Sequence, residues 1–146
     1  MSDASLTGAW TLCSWTIRTP GVMRVSEPFG ASPQGLLMYS ADGWMSATVC
    51  RPERPLLPGG SPRRAPDADL ADAYRSYFHY AGPYRVESGH VIHSVHYSLN
   101  PAMVGTEQVR AMQFRDDRLI LTGEEPLGTG VRRHELVWRR TDTRKS

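Results

Sequence analysis

The feature that most constrains this chain is the alternation of apolar and polar residues within short runs. Runs such as "LLMYS" (residues 36–40) and "WMSATVC" (residues 44–50) alternate with a period of two. Successive side chains of a β-strand point to opposite faces of a sheet, so this period predicts strands with one buried face. Asp42-Gly43 lies between the two runs, and this dipeptide is a strong β-hairpin signal. The pattern predicts an all-β protein.

Eight strands and one helix are predicted. The strands are expected at residues 9–18, 36–40, 44–50, 84–88, 90–99, 107–115, 118–122 and 132–140. Between the third and fourth strands, apolar residues spaced as on one face of a helix run from Leu70 to Ala81, and Gly82-Pro83 is expected to end that helix. Eight antiparallel strands in chain order can close into an up-and-down barrel, filled with side chains or holding one small ligand. An open sandwich is the alternative, and it would leave two edges to protect.

Length, net charge and cysteine content limit the kinds of partner that this chain is expected to bind. The chain has 146 residues and a formal net charge of +2, and its basic residues are scattered along the sequence. We therefore expect one domain over residues 1–146, with the barrel from about residue 6 to residue 140, and no nucleic-acid partner. No signal peptide and no apolar run that could span a bilayer is visible, so no membrane partner is expected. Cys13 and Cys50 do not make a disulfide framework, which favours a cytoplasmic location.

Two tryptophans in "GAWTLCSWTIR" (residues 8–18) raise a question of orientation. Trp10 and Trp15 are five positions apart, so in a regular strand they lie on opposite faces. If Trp10 faces the interior of a barrel, Trp15 is expected to lie on its outer wall.

Four segments carry a resemblance to a known family. They are "LTGAWTLCSW" (6–15), "GLLMYSADGWMSA" (35–47), "YFHYAGPYRV" (77–86) and "PAMVGTEQVRAMQFRDDRLILT" (101–122). Together they resemble the bacterial lipocalin-like domain family over nearly the whole chain, from about Leu6 to Arg140. The resemblance implies a lipocalin-type calyx. It also implies that Trp10 plugs the closed end beneath Arg140 or Arg139, and that Trp15 lies under the helix or at a subunit contact. Barrels of this kind serve as carriers, as scaffolds and as natural-product cyclases and isomerases, so the fold alone does not give the function.

Polar residues on the apolar face of a strand are the candidates for chemistry. In "HVIHSVHYSL" (90–99) the mostly apolar face carries His93 and Tyr97, and in "EQVRAMQFR" (107–115) the face marked by Met112 and Phe114 also carries Gln108 and Arg110. An imidazole and a guanidinium in one apolar pocket can move a proton and stabilise a carbonyl or enolate oxygen. His93 and Arg110 are therefore the predicted catalytic residues. The predicted substrate-binding residues are Tyr39, Tyr80, Tyr84, Tyr97, Gln108, Met112 and Phe114.

The same sequence argues against other chemistries. His93 and His96 resemble a metal-binding pair, but residues three apart on a strand face opposite sides, so no metal site is expected. Glu107 has the opposite strand parity to Arg110 and is expected to point outward, and His134 is expected on the surface. We find no nucleotide-binding fingerprint and no nucleophile elbow, so no cofactor is expected.

The leading hypothesis is a cofactor-independent cyclase or isomerase of secondary metabolism that acts on a hydrophobic or aromatic, carbonyl-bearing small molecule. The first alternative is a non-catalytic carrier that uses the same pocket, and the second is a structural barrel filled with side chains, which could equally hold these polar residues in a satisfied network. Spare outer aromatic residues such as Trp15 make a homodimer an option.

Overall fold

The computed structural model describes residues 5–128 and 130–142. Within these ranges the chain forms nine strands, one α-helix and two short 3-10 helices, the latter at Pro58–Gly60 and Pro101–Met103. The helix α1 is Asp67–Arg75. The strands are β1 Gly8–Arg18, β2 Gln34–Tyr39, β3 Trp44–Cys50, β4 Tyr77–Glu87, β5 His90–Ser94, β6 Tyr97–Ser98, β7 Glu107–Arg115, β8 Arg118–Leu127 and β9 Gly130–Arg140.

The sheet closes on itself. Its strand order is β3-β2-β1-β9-β8-β7-β5-β4, every pair is antiparallel, and β4 also pairs with β3. The two-residue β6 pairs only with β4 among the described strands, so it stands outside the ring. The predicted eight-stranded antiparallel barrel, with a helix between the third and fourth strands, is confirmed. Closure leaves no long unpaired edge, which is why the barrel is preferred to the sandwich.

One end of the barrel, which we call the closed end, is plugged by an indole. Trp10 is 2% exposed, and its Nε1–H donates to the Leu6 carbonyl oxygen at 2.9 Å. The guanidinium carbon of Arg140 lies 4.0 Å from the centre of the Trp10 ring, and its nitrogens donate to the carbonyl oxygens of Ser5 and Thr7. A cation over the face of an indole is favourable. Of the two basic residues expected over Trp10, Arg140 is the one observed.

A β-bulge in β1 overturns the expectation for Trp15. Leu12 pairs with Trp138 and Ser14 pairs with Val137, so Cys13 is an extra residue without a partner of its own on β9. An extra residue shifts the alternation by one position. Trp15 therefore faces the interior like Trp10, and its ring packs edge-on against Phe29 at 5.1 Å. The prediction that Trp15 lies on the outer wall or at a subunit contact is wrong.

The helix is shorter than its apolar stripe predicted. It ends at Arg75, and the chain from Tyr77 is already strand β4, which replaces the predicted helical turn over Tyr77, Phe78 and Ala81. Aromatic side chains favour strands, and the alternate residues Phe78 and Tyr80 pack inward against β3 in place of a helix face. Within the described ranges no helix is long and apolar enough to cross a membrane.

Gly82 has a different role from the one predicted. It does not end a helix; it lies within β4, where a Cβ atom would come 1.8 Å from the Ser94 carbonyl oxygen. The close approach comes from a bend after Ser94, where the amide of His96 donates to the Ala81 carbonyl oxygen. The predicted strand 90–99 is therefore broken into β5 and β6.

Candidate functional site

A cavity of about 630 Å³ occupies the barrel on the side opposite Trp10. We call this side the open end; there the strand ends Arg18, Cys50, Tyr77 and Glu107 lie. Most of the wall is apolar or aromatic, and it is formed by Trp15, Ile17, Leu37, Ala47, Val49, Phe78, Met103, Leu121, Leu136 and Trp138. A cavity of this size and lining suits a small organic ligand. Side chains therefore do not fill the whole interior of the barrel.

His93 lies in this wall with both ring nitrogens engaged. Its Nε2 is 2.7 Å from the Tyr39 hydroxyl, and its Nδ1 is 2.7 Å from the Tyr80 hydroxyl. His93 is 2% exposed, and β5 holds it in register between Tyr84 of β4 and Gln108 of β7. Two strong hydrogen bonds thus fix the imidazole between two phenols.

Burial keeps this cluster uncharged. Desolvation, aided by the nearby positive charge of Arg110, lowers the pKa of His93 to about 3. Desolvation likewise raises the pKa of the Tyr39 and Tyr80 hydroxyls above their usual value, although Arg110 opposes this rise. At neutral pH the cluster is a neutral imidazole between two protonated phenols.

Hydrogen counting sets the direction of the bonds. A neutral imidazole has one N–H donor and one acceptor nitrogen, so one tyrosine donates to His93 and the other accepts from it. If Tyr39 were the acceptor, its own hydrogen would need a second partner inside the core, and none is present in the described chain. Tyr39 therefore donates to Nε2, and Nδ1–H donates to Tyr80. This leaves the hydrogen of the Tyr80 hydroxyl free to donate into the cavity that Tyr80 lines.

Arg110 lines the cavity beside Tyr80. Its guanidinium lies flat against β8 at Gly123, where a Cβ atom would come within 2.9 Å of Nη1, Cζ and Nε. A side chain at position 123 would require the guanidinium to move from this position. Arg110 donates to the Gln108 side-chain oxygen at 3.3 Å and to the Val109 carbonyl oxygen at 3.1 Å, and Gln108 in turn donates to Thr106 at 2.8 Å. The predicted inward orientation of Gln108 and Arg110 is confirmed.

Four of the nine predicted site residues line the cavity: Tyr80, His93, Gln108 and Arg110. Tyr39 does not line the cavity; its hydroxyl hydrogen-bonds to His93, which does. Three others pack in the closed half of the barrel, where Tyr84 contacts Tyr39 with 4.8 Å between ring centres, Phe114 contacts Trp10 at 6.3 Å, and Met112 is buried in the core.

Tyr97 is the clear departure from the prediction. The bend after Ser94 breaks the alternation, so Val95 is buried and Tyr97 is 70% exposed on the outside of the barrel. The expectation that Tyr97 enters the interior is wrong. Glu107 does point outward, as predicted, and its carboxylate pairs with Arg85 at 2.7 Å, which holds its pKa below the usual range.

Sequence reasoning missed a second polar cluster, which we call the rim cluster: Trp15, Glu125, Arg132 and His134. Trp15 Nε1–H donates to His134 Nδ1 at 3.1 Å, so the ring proton of neutral His134 is on Nε2, which donates to Glu125 at 3.0 Å. Hydrogen bonds from His134 and Arg132 lower the pKa of Glu125. All four residues line the cavity. His134 was expected on the surface, and the signal that could have placed it inside is the inward side of Leu136 and Trp138 on the same strand.

No group of three or more histidine, cysteine, aspartate or glutamate side chains could hold a metal ion in the part of the chain that the structure describes. His93 and His96 do not share a site. Both ring nitrogens of His93 are hydrogen-bonded to tyrosine hydroxyls inside the barrel. His96 packs against Trp44 outside the barrel.

Comparison with known proteins agrees with the barrel and its cavity. A family model described as a lipocalin-like domain matches residues 7–141. A relative from Aspergillus oryzae (strain ATCC 42149 / RIB 40), the 4'-hydroxy-3'-methoxypropiophenone carrier protein ppsC, is 35% identical over 106 residues, which cover 66% of this chain and 96% of the relative. With the closed eight-stranded barrel, the indole plug and a match over nearly its whole length, this chain belongs to the lipocalin-like domain family.

Proposed function

We propose that this protein is a carrier that binds one hydrophobic, aromatic, carbonyl-bearing molecule in the barrel without transforming it. The observation that carries the proposal is the cavity of about 630 Å³, apolar on most of its wall and with hydrogen-bond donors on one side. Such a cavity removes aromatic surface from water, while a few placed donors orient the ligand. The name of the A. oryzae relative, a carrier for an aromatic ketone, supports the same class of function.

The state of His93 favours a carrier over the cyclase or isomerase hypothesis. A general base needs a free acceptor nitrogen within reach of the substrate. The acceptor nitrogen of His93 faces Tyr39 on the core side, and its pKa of about 3 makes it a weak base. Direct proton abstraction by His93 is therefore not part of the proposal.

A catalytic function remains a second candidate because of one arrangement. The Tyr80 hydroxyl lies between His93 and Arg110, with a hydrogen available to the cavity. A phenol beside a guanidinium can donate to a carbonyl oxygen as negative charge develops on it. In a cofactor-independent cyclase or isomerase on this scaffold, Tyr80 would be the proton donor, Arg110 would stabilise the oxygen, and His93 would be a positioning residue.

Binding is tested with N-phenyl-1-naphthylamine, a neutral aromatic dye whose fluorescence rises in apolar surroundings. Ala47→Phe places a ring in the cavity, whereas its neighbour Ser46 lies on the opposite face of β3 and supplies the control Ser46→Phe. We expect saturable binding by the wild type and by Ser46→Phe, and at least about tenfold weaker binding by a folded Ala47→Phe, because the ring takes the ligand's place. Binding that survives unchanged in Ala47→Phe would place the dye elsewhere and remove the support for a cavity-based carrier.

Turnover is tested by incubating a metabolite extract of producing cells with the wild type and with Tyr80→Phe, followed by mass spectrometry. The carrier proposal expects a compound that both proteins retain and neither changes. A product of equal mass, or of a mass that differs by one water, formed by the wild type alone would instead establish the cyclase or isomerase.

A further inference from the structure

One charged side chain at the cavity has no charged partner among the described residues. Besides the hydrogen-bonded pair His93 and Tyr80, the cavity is lined by five charged or titratable side chains: Arg110, Glu124, Glu125, Arg132 and His134. Both carboxylates lie on the β8–β9 hairpin and have partners there, since Glu125 is 2.6 Å from Arg132 and Glu124 is 3.1 Å from Arg133. Arg110 is in no ion pair within the described ranges. An unpaired guanidinium thus faces an apolar cavity.

The neighbours of Arg110 do not supply negative charge either. Gln108 and the Val109 carbonyl oxygen accept hydrogen bonds from it, but both are neutral. Tyr80 is a protonated phenol, and the imidazole of His93 is neutral and gives its N–H to Tyr80. A guanidinium has five N–H donors, and two accepted bonds leave several unused. An anion bound in the cavity beside Arg110 would supply the counter-charge that the described residues do not.

The hydrogen-bond donors of Arg110 and Tyr80 lie close together on the cavity wall. Arg110 and the Tyr80 hydroxyl are close enough for a hydrogen bond between them to affect the Tyr80 pKa, and both line the same wall. Gln108, the polar neighbour that could accept a hydrogen bond, already accepts from Arg110 and donates to Thr106. The wall therefore presents donors and a positive charge, which suits an oxygen that carries a negative charge.

We propose that the physiological ligand carries an ionised acidic oxygen on an aromatic skeleton, and that Arg110 and Tyr80 hold that oxygen. The inference rests on the proposed function, since it names the ligand class of the same cavity. It extends that function from carbonyl-bearing aromatic molecules in general to those that bind as oxyanions, such as aromatic carboxylates and acidic phenols or enols. Charge-assisted hydrogen bonds are about twice as strong as neutral ones, so the charged form of a ligand gains most from this wall.

A pair of competitors of nearly equal shape tests the proposal. 2-Naphthoate and 2-acetylnaphthalene differ by an oxyanion in place of a methyl group, and both can displace N-phenyl-1-naphthylamine from the cavity at pH 7.5. We expect the wild type to bind 2-naphthoate about tenfold more tightly than the ketone, and Arg110→Gln to lose this preference. Arg115→Gln removes an exposed arginine from the same strand and is expected to keep it.

The outcomes separate the two proposals. If the wild type does not bind the neutral dye, the carrier proposal fails, and the ligand class fails with it. If the dye binds but the wild type shows no preference for 2-naphthoate, or if Arg110→Gln retains the preference, the oxyanion inference is overturned while the carrier proposal stands. Should Arg110→Gln not fold, Tyr80→Phe provides the second variant: it keeps the charge but removes one donor, and we expect it to weaken 2-naphthoate about fivefold more than the ketone.

Discussion

Each end of the barrel has a tryptophan of β1 packed against a residue of β9, but the two tryptophans have different surroundings. At the closed end, Trp10 of β1 lies under Arg140 of β9, and at the open end, Trp15 of β1 stacks on His134 of β9 at 6.0 Å between ring centres. Both indoles face inward because the bulge at Cys13 lies between them. One indole ends the core, and the other borders a cavity.

The difference lies in what surrounds each indole. Trp10 donates its hydrogen bond to the carbonyl oxygen of Leu6, four residues away, and Phe114 and Arg140 pack against its ring. The hydrogen bond of Trp15 instead depends on a side chain of another strand, and its ring borders the cavity. The closed end is thus organised for stability, whereas the open end leaves apolar surface for a ligand to cover.

The largest expected effect comes from removing each indole in turn. Trp10→Ala empties a packed site and is expected to lower the free energy of unfolding by about 3–5 kcal/mol. Trp15→Ala is expected to cost roughly half as much, because one side of that ring already borders empty space, but it should weaken dye binding more than Trp10→Ala does. Urea unfolding and dye titration measure the two effects. Equal stability losses would contradict the division between the two ends.

Acid should weaken the protein through His93, which lies where the two halves meet. Its pKa is about 3 when folded and about 6.5 when unfolded, so between these values the unfolded chain binds a proton that the folded protein does not. Stability is therefore full above pH 6.5 and falls as pH is lowered, by about 1.4 kcal/mol per pH unit and roughly 2 kcal/mol between pH 7 and pH 5.

Urea unfolding across that range measures this loss. His93→Gln should flatten the pH dependence, whereas His90→Asn, which changes an exposed histidine of the same strand, should retain it. Glu107 and Glu125, whose pKa values are lowered, contribute only at more acidic pH. If the free energy of unfolding of His93→Gln falls with pH as steeply as that of the wild type, another group causes the acid sensitivity.

A smaller effect is expected from the cation at the closed end. Arg140→Met keeps an apolar stem over Trp10 but removes the cation–π contact and the hydrogen bonds to Ser5 and Thr7, with an expected loss of about 1–2 kcal/mol. Arg139→Met, next to it on the strand, is expected to change stability by less than about 0.5 kcal/mol. Dye binding should be unaffected in both variants. A loss of dye binding in Arg140→Met would show that the closed end and the cavity are coupled, and that the two ends do not have separate roles.

The smallest effect is expected from deleting the bulge. Without Cys13, a regular strand still places Leu12 and Trp15 inward, because Leu12 and Ser14 already pair with consecutive residues of β9. We therefore expect cooperative unfolding, retained dye binding and a stability loss of no more than about 1 kcal/mol. Deletion of Thr16 supplies the contrast, since it puts Trp15 and Ile17 on opposite faces. If the two deletions are equally damaging, the bulge is not what orients Trp15.

The closed barrel was predictable because its signals are local. The Asp42-Gly43 hairpin, the alternating runs and the inward positions of His93 and Arg110 follow from a period of two. A regular period fails where the backbone departs from it. Cys13 adds a residue to β1, and the bend after Ser94 turns Tyr97 outward; neither position carries a glycine or proline that would signal the change.

The rest of the site depends on contacts that lie far apart in sequence. The partners of His93 come from β2 and β4, and the space for Arg110 comes from Gly123 on β8, so only the assembled barrel reveals which polar groups are satisfied. The residues around Tyr77 show the same limit. Their spacing fits a helix and a strand equally well, and pairing with β3 decides in favour of the strand.

The adjacency of β1 and β9 also bears on how the protein is made. The Thr11 and Thr141 hydroxyls lie 2.8 Å apart although 130 residues separate them in the chain. During synthesis Trp10 has no Arg140 above it, and the barrel cannot close, until the ribosome has delivered the last strand. Folding of the barrel therefore waits for β9, as expected for a protein dominated by distant pairings, and until then the nascent chain exposes its apolar strands to chaperones and proteases.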